Sequence, residues 1–237
     1  MCILCEYMAV TMSRVPLESV EAEKDLGVLI DTELKFSKHV ESQVNKANRI
    51  LGLIRRSYEY IDMEAMRLLF CALVRPHLEF ANCVWNPRLA KDCQLIEGVL
   101  RRATRCVPGL SHMEYEERLK AMKLPSMAYR RIRGDLIEMY KFSHGYYNCK
   151  APFVLNSDTN TRGHTFKLKK QYSRTCTRQH FFSNRILDTW NALDNDTVNA
   201  ATMNSFKNRI DQIFKDSIHS TSLALPLKPS CRPTGVT

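Results

Sequence analysis

Glycine and proline are scarce, eight and nine among 237 residues, which argues against a strand-rich sandwich, whose many turns consume both. No stretch approaches the roughly 18 consecutive apolar residues of a membrane helix, and no membrane partner is expected. The opening MCILCEYMAV lacks a basic leader and a small-residue cleavage site, which speaks against a secretory signal. Catalytic signatures are missing too: there is no GxSxG, no P-loop and no GxGxxG, so hydrolase and nucleotidase readings have nothing to rest on. No two aspartates are adjacent anywhere in the chain. Nine cysteines are scattered singly apart from Cys2 and Cys5, and Cys2-x-x-Cys5 has no second pair to complete a zinc tetrahedron. Cys83, Cys93 and Cys106 are spaced unlike a zinc knuckle and read as single thiols in packed surroundings. The histidines, His39, His77 and His180 among them, form no pair at helical ligand spacing. No cofactor, metal site or small-molecule substrate is expected, and a reducing intracellular compartment, nuclear or cytoplasmic, is the reading that fits.

Positive charge is what the chain does have. It carries 35 Lys and Arg against 25 Asp and Glu, a formal charge of +10 and a pI near 9.2, which points to a polyanionic partner. The charge is patchy. Residues 101–133 hold nine basic residues against Glu114, Glu116 and Glu117, and residues 161–185 hold seven with no acid at all. A phosphate backbone can use such patches.

Apolar spacing sets the expected architecture. Leu26–Ile30 is a short apolar run bracketed by Asp25 and Asp31, a buried strand in need of a partner, for which Ile3–Val10 is the candidate. Val40, Val44, Ala47, Leu51 and Ile54 then recur at helical steps, with Ser37 placed as N-cap. Asp62 suits the cap of a second helix carrying Met66, Leu69, Phe70 and Leu73, broken or kinked at Pro76, with Arg75 and Glu79 four apart across the kink. Further helices are predicted over about 92–107, 114–122 and 126–144, the last with Tyr129, Ile132, Leu136 and Met139 inward and Arg130, Arg131 and Arg133 largely outward. Residues 145–165 read as a boundary, Phe166, Leu168 and Tyr172 as a short strand, and two more helices are predicted over about 178–193 and 203–218. Trp85 and Trp190 are expected as packing anchors. Asp25, Asp31 and Glu33, the carboxylates nearest the strand, are expected to do turn and cap chemistry rather than to bind metal.

Several ordered segments carry a resemblance: EKDLGVLID (Glu23–Asp31), KANRILGLIRRS (Lys46–Ser57), LVRPHLEFANCVWNP (Leu73–Pro87), RRATR (Arg101–Arg105) and RRIRGDL (Arg130–Leu136). In this order they resemble the region C-terminal to the catalytic core in reverse transcriptases of non-LTR, LINE-type retrotransposons, nearest the jockey and CR1 kind. RQHFFSNRILDTWNAL (Arg178–Leu193) and SFKNRIDQIF (Ser205–Phe214) are similar to the C-terminal region beyond the thumb in the same elements. The resemblance implies palm–thumb junction strands over 1–35, a thumb-like helical bundle over 36–148 and a basic C-terminal region with two helices over 149–218; residues 219–237, with Pro226, Pro229 and Pro233, read from their composition as a disordered tail. The expected fold is therefore mainly α, with a short β remnant in front. The Tyr-x-Asp-Asp box of those polymerases is missing, so no polymerase activity is expected of the chain alone.

The thumb of such enzymes holds the template–primer duplex from its backbone side. By that implication Arg55, Arg56, Arg101, Arg102 and Arg105 contact RNA or DNA. The residues themselves add Arg130, Arg131 and Arg133, then Lys167, Lys169, Lys170, Arg174 and Arg178 in the acid-free window, near tyrosines 129, 140, 146 and 147 on which bases can stack. Two other readings compete: a stand-alone helical module whose arginines meet acidic proteins, and an element remnant with no function of its own.

Overall fold

The computed structural model describes residues 20–156 and 163–221. The chain is mainly helical, with one antiparallel hairpin at its start: β1 (Ala22–Asp25) and β2 (Val28–Asp31) pair Ala22 with Asp31 and Asp25 with Val28. The predicted strand is thus present, but its partner is the segment just before it; Ile3–Val10 lies outside the described residues. The two-residue turn puts Leu26 at φ 43° and Gly27 at φ 90°, the double left-handed geometry that matches strand twist in tight hairpins. Leu26 accepts that strain at the tip, 88% exposed.

Asp31 then organises the exit from the sheet. Its carboxylate accepts the backbone N–H groups of Glu33 and Lys35 at 3.1 and 3.0 Å and that of Phe36 at 2.6 Å. Burial alone raises its pKa, but these bonds to the charged form outweigh it and hold the carboxyl below its ordinary range. This is the turn chemistry expected of the residue. The next element, helix α1 (Ser37–Ser57), begins after a left-handed Phe36 with no side-chain cap. Ser37, predicted to cap it, instead donates its hydroxyl to Asp92 at 2.7 Å.

α1 buries Val40, Val44, Ala47, Leu51 and Ile54 as the spacing predicts. Asp62 caps α2 (Met63–Leu69) by accepting from the Ala65 N–H. The chain then widens into a π-turn over Phe70–Val74 and resumes as α3 (Arg75–Glu79). Pro76 has no N–H and its ring crowds the carbonyl four residues back. The inserted wide turn relieves that conflict without ending the rod. After the short α4 (Asn82–Trp85) come α5 (Ala90–Arg105), α6 (Tyr115–Ala121) and α7 (Met127–Ser143), whose Ser126 cap accepts from the Tyr129 N–H. The predicted helix over 178–193 is in fact three pieces, α8 (Cys176–Gln179), α9 (Phe182–Arg185) and α10 (Leu187–Asn191). Asn184 and Arg185 reach back to the Arg178 and His180 carbonyls at 2.7 and 3.2 Å, stabilising the break. The last two helices are α11 (Asn195–Val198) and α12 (Met203–Ile213).

Two cores result. Val28, the α1 stripe, Met66, Phe70, Leu78, Trp85, Ile96, Leu100 and residues through Met127 form the first. Ile132, Leu136, Met139 and Tyr140 of α7 join Phe182, Ile186, Trp190, Phe206 and Ile210 in the second. Trp85 and Trp190 are fully buried, one in each, as expected of anchors. α7 contributes to both cores, Met127 at its start to the first and Ile132 onward to the second. Residues Phe166 to Tyr172 form no strand: Leu168 makes an isolated antiparallel bridge to Leu155. The expected tail also begins docked, with the Ser126 N–H donating to the Ile218 carbonyl and the Ser126 hydroxyl to that of Ser220, both at 2.9 Å; residues 222–237 lie outside the described residues.

Each core contains a buried histidine held neutral. His39 accepts the Leu29 N–H at 3.1 Å and stacks edge-on to Trp85, ring centres 5.0 Å apart. His164 bonds the Trp190 carbonyl at 3.0 Å. Burial lowers the pKa of both below the ordinary 6.5, helped by Lys46 for His39 and opposed by the Trp190 bond for His164. In the unfolded chain both take up a proton near pH 6.5; in the folded protein they resist it. Stability is therefore present above that pH and is lost as the pH falls through the depressed folded values. The melting temperature should drop between pH 7 and pH 5, and His39→Gln and His164→Gln should each flatten the drop. A melting temperature level over that range would overturn this account.

Candidate nucleic-acid interface

α1 and α5 lie side by side and run parallel. Ser37 meets Asp92 near their starts, and Asn48 accepts from the Arg102 guanidinium at 2.7 Å near the end of α5. The charge of Arg55, in the last turn of α1, acts on the Cys106 thiol just past the end of α5, countering the rise that burial imposes on it. Parallel alignment brings two helix C-termini to one place. Each ends in arginines, Arg55 and Arg56 on α1, Arg102 and Arg105 on α5, with Arg101 one turn earlier than Arg105. Cations at helix C-termini are favoured by the last carbonyls, so local structure explains why arginines are tolerated there.

It does not explain their crowding. All five are exposed, and none takes part in an ion pair among the described residues. Arg101 lies 4.7 Å above the ring of Tyr115, and the buried Arg118 lies 5.5 Å from the same ring. Arg118 donates to Thr104 at 3.1 Å and to the Met113 carbonyl at 2.5 Å. Burial first, then the neighbouring charge of Arg105, lowers its pKa. The Tyr115 hydroxyl donates to Glu97 at 2.6 Å, and Glu97 spends its remaining capacity on the first N–H groups of α7, Met127 and Ala128. This buried carboxylate is thus committed to a helix start and makes no ion pair with the arginines.

The Arg130, Arg131 and Arg133 cluster is the correction. Expected largely outward, these side chains are turned into the protein. Arg130 makes a two-pronged bond to Glu79, both contacts 2.7 Å. Arg133 grips Asp211 of α12 at 2.7 and 2.9 Å, with the Tyr129 hydroxyl donating to the same carboxylate. Arg131 is buried. Glu79, expected as the partner of Arg75, is 3.8 Å from it and belongs mainly to Arg130. Of the tyrosines, 129 and 140 are buried, and 146 and 147 are open.

The acid-free window divides likewise. Arg185 is buried against Asp135, an acid from outside the window. Residues 166–168 are fastened to α10, where the Trp190 indole donates to the Phe166 carbonyl at 2.8 Å and Asn191 exchanges two bonds with Leu168 at 2.8 and 3.0 Å. Lys169, Lys170, Arg174 and Arg178 emerge from this anchor exposed, and Lys167 is half-buried. Arg88, just before α5, donates to Thr177 at 3.0 Å. The second basic area therefore sits at the start of α5 and the arginine cluster at its end, about 22 Å apart along a helix of this length. Residues the sequence did not single out add a further basic stretch: Lys38, Lys46 and Arg49 line an open groove along α1 with Glu41, Ser42 and Asn45.

Among the described residues no three His, Cys, Asp or Glu side chains converge as metal ligands, and no helix is long and apolar enough to cross a membrane. No protein-family model matches the chain, and no solved structure matches it. It is similar to an uncharacterized protein of Caenorhabditis elegans, 26% identical over 127 residues, which is 52% of this chain and 64% of the nematode protein.

Proposed function

We propose that the chain holds RNA or DNA by its phosphate backbone, with little sequence preference, and descends from the thumb and post-thumb region of a non-LTR retrotransposon reverse transcriptase. The observation that carries the binding is the cluster of five exposed guanidinium groups, without carboxylate partners among the described residues, on two parallel helix ends. Like charges gathered this way repel one another, and a polyanion relieves the repulsion while releasing its own counterions. The second basic area, one helix length away, lets a strand or duplex be gripped at two places. Ancestry rests on the ordered motifs, and the role proposed for these residues is to hold the nucleic acid, with no polymerase chemistry of their own. An intracellular setting, nuclear or cytoplasmic, goes with such a ligand.

Titration of a duplex or hybrid against salt tests the reading. Three to five phosphate contacts give a slope of log affinity on log salt of about −3 to −5, nearly the same for unrelated sequences. Affinity that does not change between low and moderate salt sinks the proposal.

A further inference from the structure

Tyr172 is 85% exposed, and it makes no hydrogen bond or ring contact with any described residue. It lines an open cleft of about 620 Å³ together with Lys170, Arg174, Asn184 and Asp188. Tyrosine left this bare forgoes the apolar burial that its ring offers, and nothing in the packing of the second core requires it. The surroundings, by contrast, are held in place. Arg178 donates to Gln171 at 2.6 Å, on one side of Tyr172, and Asn184 donates to Ser173 at 3.1 Å, on the other. An irregular segment is thereby pinned to α8 and α9 with its aromatic residue presented to solvent between two cations at alternate positions.

We infer that Tyr172 is a stacking platform for an unpaired base, with Lys170 and Arg174 taking the flanking phosphates; this rests on the nucleic-acid reading and narrows it to a single strand at this end of the molecule. A base inside a duplex is already stacked on both faces and has none to offer. A ring that slides under a base needs no sequence-specific contact, since every base has a π-face. Asp188 on the cleft wall repels phosphate there, which keeps the backbone on the side of Lys170 and Arg174.

The test measures binding of a 12-nucleotide single strand and of an abasic strand of equal length, at one salt concentration and over a salt series. Tyr172→Ala should weaken binding to the intact strand about 10-fold with the salt slope unchanged. It should leave the abasic strand unaffected, and Tyr172→Phe should bind as the parent does. Equal affinity of Tyr172→Ala and parent for the intact strand overturns this inference alone, as does an equal loss on both strands. A parent protein that binds no strand in a salt-dependent way removes the broader reading and this one with it.

Discussion

Asp135→Ala should lower the melting temperature by roughly 10 °C, far more than the loss of an exposed ion pair would. Asp135 is 1% exposed and Arg185 opposite it 5%. The carboxylate takes Nε and Nη2 of Arg185, both at 2.8 Å, and the Asn86 amide at 3.3 Å. The same guanidinium donates to the Cys83 carbonyl at 2.9 Å. One ion pair thus ties α7 to the end of α4 and the end of α9, where the two cores meet. Removing one member leaves a buried charge unpaired, which costs about 3–5 kcal/mol, and a chain of this size loses about 2–4 °C per kcal/mol. Exchanging both members for apolar residues, Asp135→Leu with Arg185→Met, should recover much of the loss, because a buried pair is worth little net against well-packed hydrophobes. A shift below about 2 °C for Asp135→Ala would show that water reaches Arg185 and that the junction is looser than its geometry.

This junction also marks how far the sequence could be read. Features encoded within one turn or one helical period were legible: the α1 stripe, the Asp62 cap and the mainly helical class. Each depends on residues three or four apart, and such spacing carries its own physics. Charge partners were not legible. Arg130 finds Glu79 fifty-one residues back, Arg133 finds Asp211 seventy-eight ahead, and Arg185 finds Asp135 fifty behind. A basic window free of acids therefore looks uniformly exposed although the fold brings acids to it. The π-turn before Pro76 shows the same limit in the backbone, since proline announces a conflict but not how a helix resolves it. Tyr172 reads as strand because its neighbours alternate, and the missing strand partner leaves it bare.

Sorting the arginines by partner makes the sharpest functional prediction. Arg101, Arg102 and Arg105 changed together to Gln should reduce affinity for duplex or hybrid about 100-fold or more at 0.1 M salt and make the salt slope shallower by about 2.7, the value for three lost phosphate contacts. Stability should hardly move. What the folded chain loses is the Arg101–Tyr115 stacking, worth about 0.5–1 kcal/mol, one exposed bond from Arg102 to Asn48, and part of the helix-end attraction. Arg130→Gln and Arg133→Gln should behave the opposite way. They break two-pronged bonds to Glu79 and Asp211, costing about 1.5–3 kcal/mol each, and leave the salt slope where it was. The contrast matters because RRATR and RRIR look alike as sequence, and a binding mechanism based on composition alone treats them alike. Equal slopes in the two sets of variants would remove the parallel helix ends as the contact surface. A triple variant that loses a protein partner while keeping its nucleic-acid slope would instead favour an interaction module whose arginines meet acidic proteins. The salt slope is what separates these outcomes, since it counts displaced counterions and is indifferent to how well the protein folds, provided the melting curve shows that it does.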